Sequence, residues 1–346
     1  MNKRAVVNAL TLWTVVSIYF ASGFQLLAQS TTTPTSGPSK TPTPSAPTAT
    51  ALPAEVSSPR DRAIFQPWTQ SDLSVLTGNV QRPNGLTWHE GKLYAACNGD
   101  FTVYEIDPNT AFTRTYIWGV RNAHTLYAET TPQGELSLWV PDYQTNQLVY
   151  VERTGVRPIA SDLNGPWGIA PIDSNQFLIT SLLGDSLLLM HRDGTYRIII
   201  SDLRSPTGIV VDGPYVFVAN TGSARRAIEW LLVAELLGLD ENDSAPQPKP
   251  LVSGLQNTTG LVMGPDGLLY FAYALGTRGV VGRVDPAVCF NKGGCNNTDV
   301  EIVVFTELAA PLAGLTISPD MRMFVHTMFS PDIYWVQMDA AEKSGS

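Results

Sequence analysis

The chain has 346 residues, 44% of them hydrophobic and only 15% charged, with a net charge of −9. That length suits two ordinary domains or one large repeat fold, and the apolar share is enough for a sizeable core. No Lys/Arg cluster is present to neutralise phosphates, which excludes nucleic acid as a partner.

Asn2-Lys3-Arg4 is a short positive head, and Ala5 to Ala28 follows without a charge. This is the pattern of a secretory signal, with small residues suited to cleavage ending at Gly23 or Ala28. The same run is long enough to stay in a bilayer as an anchor. Residues 1–28 are therefore a signal peptide or a membrane anchor. In either reading the remainder is exported, extracellular or at the cell surface, and touches a membrane through that segment alone. Residues 29–62, rich in Ser, Thr and Pro, cannot bury apolar surface and are expected to form a disordered spacer.

From residue 63 to 346 the pattern changes to short apolar strands separated by turn residues. A glycine, or its substitute, recurs just before each innermost strand: Gly85 in RPNGLTW, His124 in RNAHTLYA, Gly168 in NGPWGIA, Gly208 in SPTGIVV, Gly260 in NTTGLVM and Gly314 in PLAGLTI. The spacing, roughly 40–55 residues, fits four short strands per unit, the period of a β-propeller blade. Second strands follow at Leu93–Ala96, Leu136–Val140, Phe177–Thr180, Val216–Ala219, Leu269–Ala272 and Met323–His326. Third strands begin near Thr102, Gln147, Ser186, Ala227, Gly279 and Ile333. Outer strands follow at Thr113–Trp118, Arg157–Ser161, Tyr196–Ser201, Pro250–Ser253 and Glu301–Phe305. The last unit ends without one, and Leu73–Leu76, ahead of the first unit, is left over. The fold class is therefore all-β: a six-bladed β-propeller of four-stranded antiparallel blades, closed by an N-terminal outer strand that completes the last blade.

Ala224 to Leu239 has two readings, an amphipathic helix or a strand. The alternation of Ile228, Trp230 and Leu232 favours a strand to about Val233, with a helical turn after it.

In such a meander, loops entering the first strand and loops joining second to third strands emerge on one face, around the channel mouth. Tight turns such as Asp212-Gly213 and Arg192-Asp193-Gly194 emerge on the other. The mouth loops offer Asn84, Asn122, His124, Asp142, Tyr143, Asn164, Trp167, Asn220, Tyr273 and Arg278 as candidate ligand-binding residues. A propeller mouth is concave, the shape a ligand site needs. The same residues are equally suited to satisfying loop backbones. On the opposite face, two long excursions, Ala234–Lys249 and Pro286–Val300, leave adjacent blades and are expected to lie side by side. In an exported chain, Cys289 and Cys295 in CFNKGGC read as a small disulfide loop. A metal pair is the alternative, with no His or third Cys near. Cys97 ends an apolar strand and is expected to be buried and inert.

The repeats SPTGIVVDGPYVFVAN (205–220), RPNGLTWHEGKLYAAC (82–97) and TTGLVMGPDGLLYFAY (258–273) resemble NHL-repeat propellers and the wider TolB-like superfamily of gluconolactonase-like and strictosidine-synthase-like proteins. The likeness covers about 65–340. It implies the fold, while one propeller hosts binders, lyases and hydrolases. Gluconolactonase-like enzymes hold a divalent metal at the mouth with Glu, Asn and Asp. Here Asn84 in PNG matches the Asn, Asn164 stands in place of the Glu, and the next inner loop lacks the Asp. No metal ligand is assigned, and a calcium-like divalent cation is the one cofactor the resemblance leaves open. Peptide-amidating lyases of the NHL group bring several His to the mouth, whereas this chain has four His in all. Of these only His124 replaces a channel glycine, where it can act as a general base beside Tyr143 or Asp142. No G-x-S-x-G elbow occurs.

The expected function is ligand binding at the channel mouth, to a small molecule, a protein or a glycan, by a monomer and without chemistry. The alternative is a channel-mouth hydrolase or lyase, lactonase-like and metal-assisted or not, using His124, Asn84 and Asp142.

Overall fold

The computed structural model describes residues 66–239, 244–327 and 330–338. The expected signal or anchor and the spacer lie outside the described residues. The chain divides into units 1–62 and 63–346, and the second holds every described residue.

Six sheets form six blades, each a run of consecutive strands. Blade one is Pro83–His89, Lys92–Cys97, Thr102–Ile106 and Thr113–Trp118. Blade two is Tyr127–Thr130, Leu136–Asp142, Gln147–Glu152 and Gly155–Ala160. Blade three is Pro166–Pro171, Gln176–Ser181, Ser186–His191 and Tyr196–Ile200. Blade four is Pro206–Asp212, Tyr215–Asn220, Ile228–Leu232 and Lys249–Ser253. Blade five is Leu261–Met263, Leu269–Leu275, Arg278–Val284 and Glu301–Ala309. Blade six is Leu312–Ile317, Arg322–Thr327 and Ile333–Gln337, with Ser74–Thr77 outermost. That last strand pairs antiparallel with Ile333–Gln337, Val75 opposite Tyr334 and Thr77 opposite Ile333.

The period-two pattern places the core between blades. Leu93, Ala95 and Cys97 face blade six and pack with Phe324 and Ile333. Tyr94 and Ala96, on the alternate side, pack with Leu138 and Val140 of blade two. Cys97 is buried and outside any disulfide, and burial raises its thiol pKa far above the ordinary range. At Gly85, Gly168 and Gly208 neighbouring backbones touch: a Cβ at Gly208 would stand 2.5 Å from the Thr259 carbonyl oxygen. Only glycine permits that approach without moving the adjacent blade.

Two blades carry a fifth strand that the repeat did not foretell. Trp68–Thr69 adds in parallel to Glu301–Ala309, and Cys295–Asn296 adds in parallel to Lys249–Ser253. Both cover outer edges whose ladder groups would otherwise face solvent. The disulfide Cys289–Cys295 joins this second strand to the short helix Pro286–Lys292. Phe290 of that helix packs 4.7 Å from both Tyr215 and Trp230 of blade four.

Ile228–Leu232 is a strand, as its alternation requires, and Val233–Leu237 is a helix. Leu236 is buried between blades three and four, and Arg197 of blade three donates to the Leu239 carbonyl at 2.8 Å. Phe290 lies between blades four and five. The described parts of the two excursions therefore flank blade four rather than lying side by side. Each leans back on the blade before its own, where apolar surface is open to cover.

A circuit of side-chain hydrogen bonds links the inner strands. Asn84 Nδ2 donates to Asn122 Oδ1 at 2.5 Å, joining blades one and two. Thr125 donates to the Trp167 carbonyl at 2.7 Å, and Thr180 to the Thr207 carbonyl at 2.6 Å. Thr207 donates to the Thr258 carbonyl at 2.9 Å, and Thr259 to the Leu312 carbonyl at 2.8 Å. His326 Nε2 returns to the Asn84 carbonyl at 2.9 Å, which completes the ring. Each bond to a buried carbonyl answers a group that would be costly to leave unpaired.

Candidate functional site

The mouth is built from blade one outward. Asn84 enters the first inner strand and is 2% exposed. Its amide donor is held by Asn122, while its Oδ1 has no partner. In blade two the inner strand is interrupted at His124, and Ala123 touches the second strand only as an isolated bridge to Asp142. Freed from the ladder, the His124 ring lies flat on Trp167, with centroids 3.4 Å apart and planes 4° apart. Tyr143 meets both rings edge-on, 5.7 Å from His124 and 5.8 Å from Trp167.

Burial, assisted by the nearby His326, pushes the His124 pKa down to about 3. The imidazole is therefore neutral at ordinary pH. Its Nδ1 is buried without a hydrogen-bond partner. His326 is also fully buried, with a pKa lowered to about 4. A carbonyl can only accept, so His326 Nε2 carries the proton.

Asp142, expected beside His124, has its carboxylate engaged by the backbone. Its Oδ2 accepts from the Arg121 N–H at 2.6 Å. Its Oδ1 accepts from the N–H groups of Asn122, Gln144 and Thr145 at 3.1–3.2 Å. The residue locks two mouth loops together.

The remaining candidates are spread around the ring. Asn220 is fully bonded, donating to the Arg226 carbonyl and Glu229 and accepting from the Arg204 N–H. Tyr273 is buried in the core between blades four and five, which raises its phenol pKa. Asn164 is an exposed loop residue at φ 52°, and Arg278 stands 3.8 Å from Glu307. The structure thus brings Asn84, Asn122, His124, Tyr143 and Trp167 together, with Asp142 beneath them.

Sequence reasoning passed over His326 and the Arg121 platform. His326 ends a second strand, and nothing local marks that position as facing the channel. The Arg121 guanidinium lies 4.5 Å over Phe101 and 6.0 Å from the exposed Trp118, at the rim beside Asn122. These three residues are distant in sequence except for Trp118 and Arg121, whose closeness was the one available signal.

A hard divalent cation needs several oxygen ligands, usually including carboxylates. The mouth offers one free amide oxygen and two neutral imidazoles, while Asp142 is occupied. This donor set does not fit calcium. Among the described residues no group of three or more His, Cys, Asp or Glu is placed to hold a metal.

Two clefts open away from the mouth, on the face of the tight turns. One, of about 870 Å³, lies between blades two and three. The other, of about 460 Å³, lies between blades six and one.

No family model matches the chain, and no curated protein does. Among solved structures it is similar to a streptogramin B lyase, at 15% identity and TM-score 0.53, over 76% of this chain and 96% of that one. It is also similar to regucalcin, a calcium-binding protein from Agrobacterium tumefaciens strain C58, at 15% identity and TM-score 0.57, over 79% of this chain and 96% of that one. At this identity the likeness is one of fold. The six-bladed architecture of NHL and gluconolactonase-like propellers, implied by the repeat motifs, is the architecture of this chain.

Proposed function

We propose that the chain is an exported, monomeric propeller that binds a ligand at its channel mouth without chemical turnover. The ligand is a small molecule or a protruding part of a protein or glycan partner. The observation that carries this reading is the stack of His124 on Trp167, edged by Tyr143. It is a rigid, neutral platform beside the buried, unpartnered amide oxygen of Asn84. A base with a pKa near 3 is a poor proton acceptor at neutral pH. With Asp142 bound to backbone, no carboxylate orients the imidazole. Such a surface favours holding a planar or apolar group over proton transfer.

Native mass spectrometry of the protein as isolated tests this. A bound species is expected, and Trp167→Ala should release it. A stoichiometric divalent metal removable only by chelator would sink the reading.

One observation favours a hydrolase or lyase instead: the His124 Nδ1 and the Asn84 Oδ1 are buried polar atoms without a hydrogen-bond partner. On that reading His124→Ala and Asn84→Ala would abolish turnover of an identified substrate. Unchanged turnover would remove it.

A further inference from the structure

The 870 Å³ cleft between blades two and three has the size of a small-ligand site, which spans ~300–1,000 Å³. One row of directly opposed residues crosses all four strands of blade two on this side. Tyr127 is opposite Trp139, Trp139 opposite Tyr150, and Tyr150 opposite Arg157. Period-two geometry puts all four side chains on one face of the sheet.

The inner end of the row is locked. Glu129 takes both guanidinium nitrogens of Arg192, at 2.6 and 2.8 Å, and the Trp139 indole N–H at 2.8 Å. Arg192, from blade three, covers Trp139 and Phe177. This knot makes the floor stiff and commits the Glu129 carboxylate and the Trp139 N–H.

The outer end is open. Arg157 is exposed and rests 5.2 Å over the Tyr150 ring. Glu152 and Asp173 stand at the lip, and neither forms an ion pair among the described residues. Thr131 and Ser174 add hydroxyls to the same lip.

The chemistry of this lip narrows the occupant. Two carboxylates repel a polyanion, and Arg157 opposes a polycation. The cleft lies on the face of the blade rather than along its open outer edge, Gly155–Ala160, so an extended peptide seated in it joins no ladder. An apolar ligand would strand the lip charges without water. A ligand with many hydroxyls satisfies both signs at once, each hydroxyl donating to a carboxylate or accepting from a guanidinium. The aromatic floor accepts the C–H face of a ring. We propose that this cleft is a second binding site, separate from the channel mouth, for a short neutral oligosaccharide.

The test titrates the protein with cellotetraose, xylotetraose and N-acetylchitotetraose, followed by calorimetry and saturation-transfer NMR. At least one is expected to bind. Arg157→Gln and Glu152→Gln, both at the lip and away from the core, should each weaken it by about tenfold, as loss of a hydrogen bond to a charged group does. Tyr150→Ala should weaken it further, and Trp167→Ala at the mouth should leave it unchanged. Failure of all three sugars to bind at millimolar concentration overturns the proposal. So does binding that ignores the lip variants, or that follows Trp167→Ala instead. That last result would place the sugar at the mouth and leave the channel-mouth reading standing.

Discussion

His124 shows how burial alone sets a residue's chemistry. Its imidazole has given up water for the face of Trp167, and the charged form loses far more hydration than the neutral one. Its pKa and that of His326 therefore fall from 6.5 to about 3 and about 4. The unfolded chain then binds protons that the folded one refuses. Stability is full above the unfolded value and is lost as pH falls from about 6.5 toward the folded values. Between pH 7 and 5 each imidazole contributes a loss on the order of 2 kcal/mol. His124→Phe, which keeps a flat ring on Trp167, should flatten roughly half of that slope. Urea midpoints at pH 7 and pH 5 measure it, and an unchanged slope in the variant would contradict the buried neutral imidazole.

Among the elements, the clip formed by Pro286–Lys292 and Cys295–Asn296 departs most from the repeat. It is supplied by blade five, yet it caps the outer edge of blade four. Ser253 Oγ donates to the Cys295 carbonyl at 3.3 Å, and Phe290 fills the space between Tyr215 and Trp230. The disulfide closes a loop of sequence separation 6. Chain entropy assigns such a loop roughly 2 kcal/mol. Cys289→Ser with Cys295→Ser should lower stability by about that amount. Hydrogen exchange should rise first at Lys249–Ser253, the edge the clip covers. If the midpoint fell while that edge stayed protected, the cap would not depend on the bond.

For the whole molecule, cohesion comes from a ring in which every blade has two neighbours. The inner hydrogen-bond circuit returns from His326 to Asn84, and blade six takes its outer strand from Ser74–Thr77. Removing residues through Thr77 deletes that strand and the apolar contact of Leu76 with Ile333 and Phe324. It also uncovers the outer edge of blade five, where Trp68–Thr69 lies. The shortened protein should unfold at a markedly lower temperature and over a broader range. Calorimetry gives the answer, and an unaltered, sharp transition would mean the ring does not need its first strand.

The blades were legible in the sequence because their signals are local. Alternating apolar residues, Asp-Gly turns and a glycine where backbones meet are each written within a few residues, and the four-strand period repeats them. The same locality marked Ile228, Trp230 and Leu232 as a strand, and Cys289 with Cys295 as a pair. The mouth was legible only as a set of loops. That Asp142 binds backbone, that His326 reaches Asn84, and that the excursions flank blade four all depend on blade-to-blade contacts. Residues 242 positions apart meet there, and no spacing rule in the chain encodes such a meeting. Tertiary packing alone decided which polar side chains were used up in holding the ring and which were left without a hydrogen-bond partner.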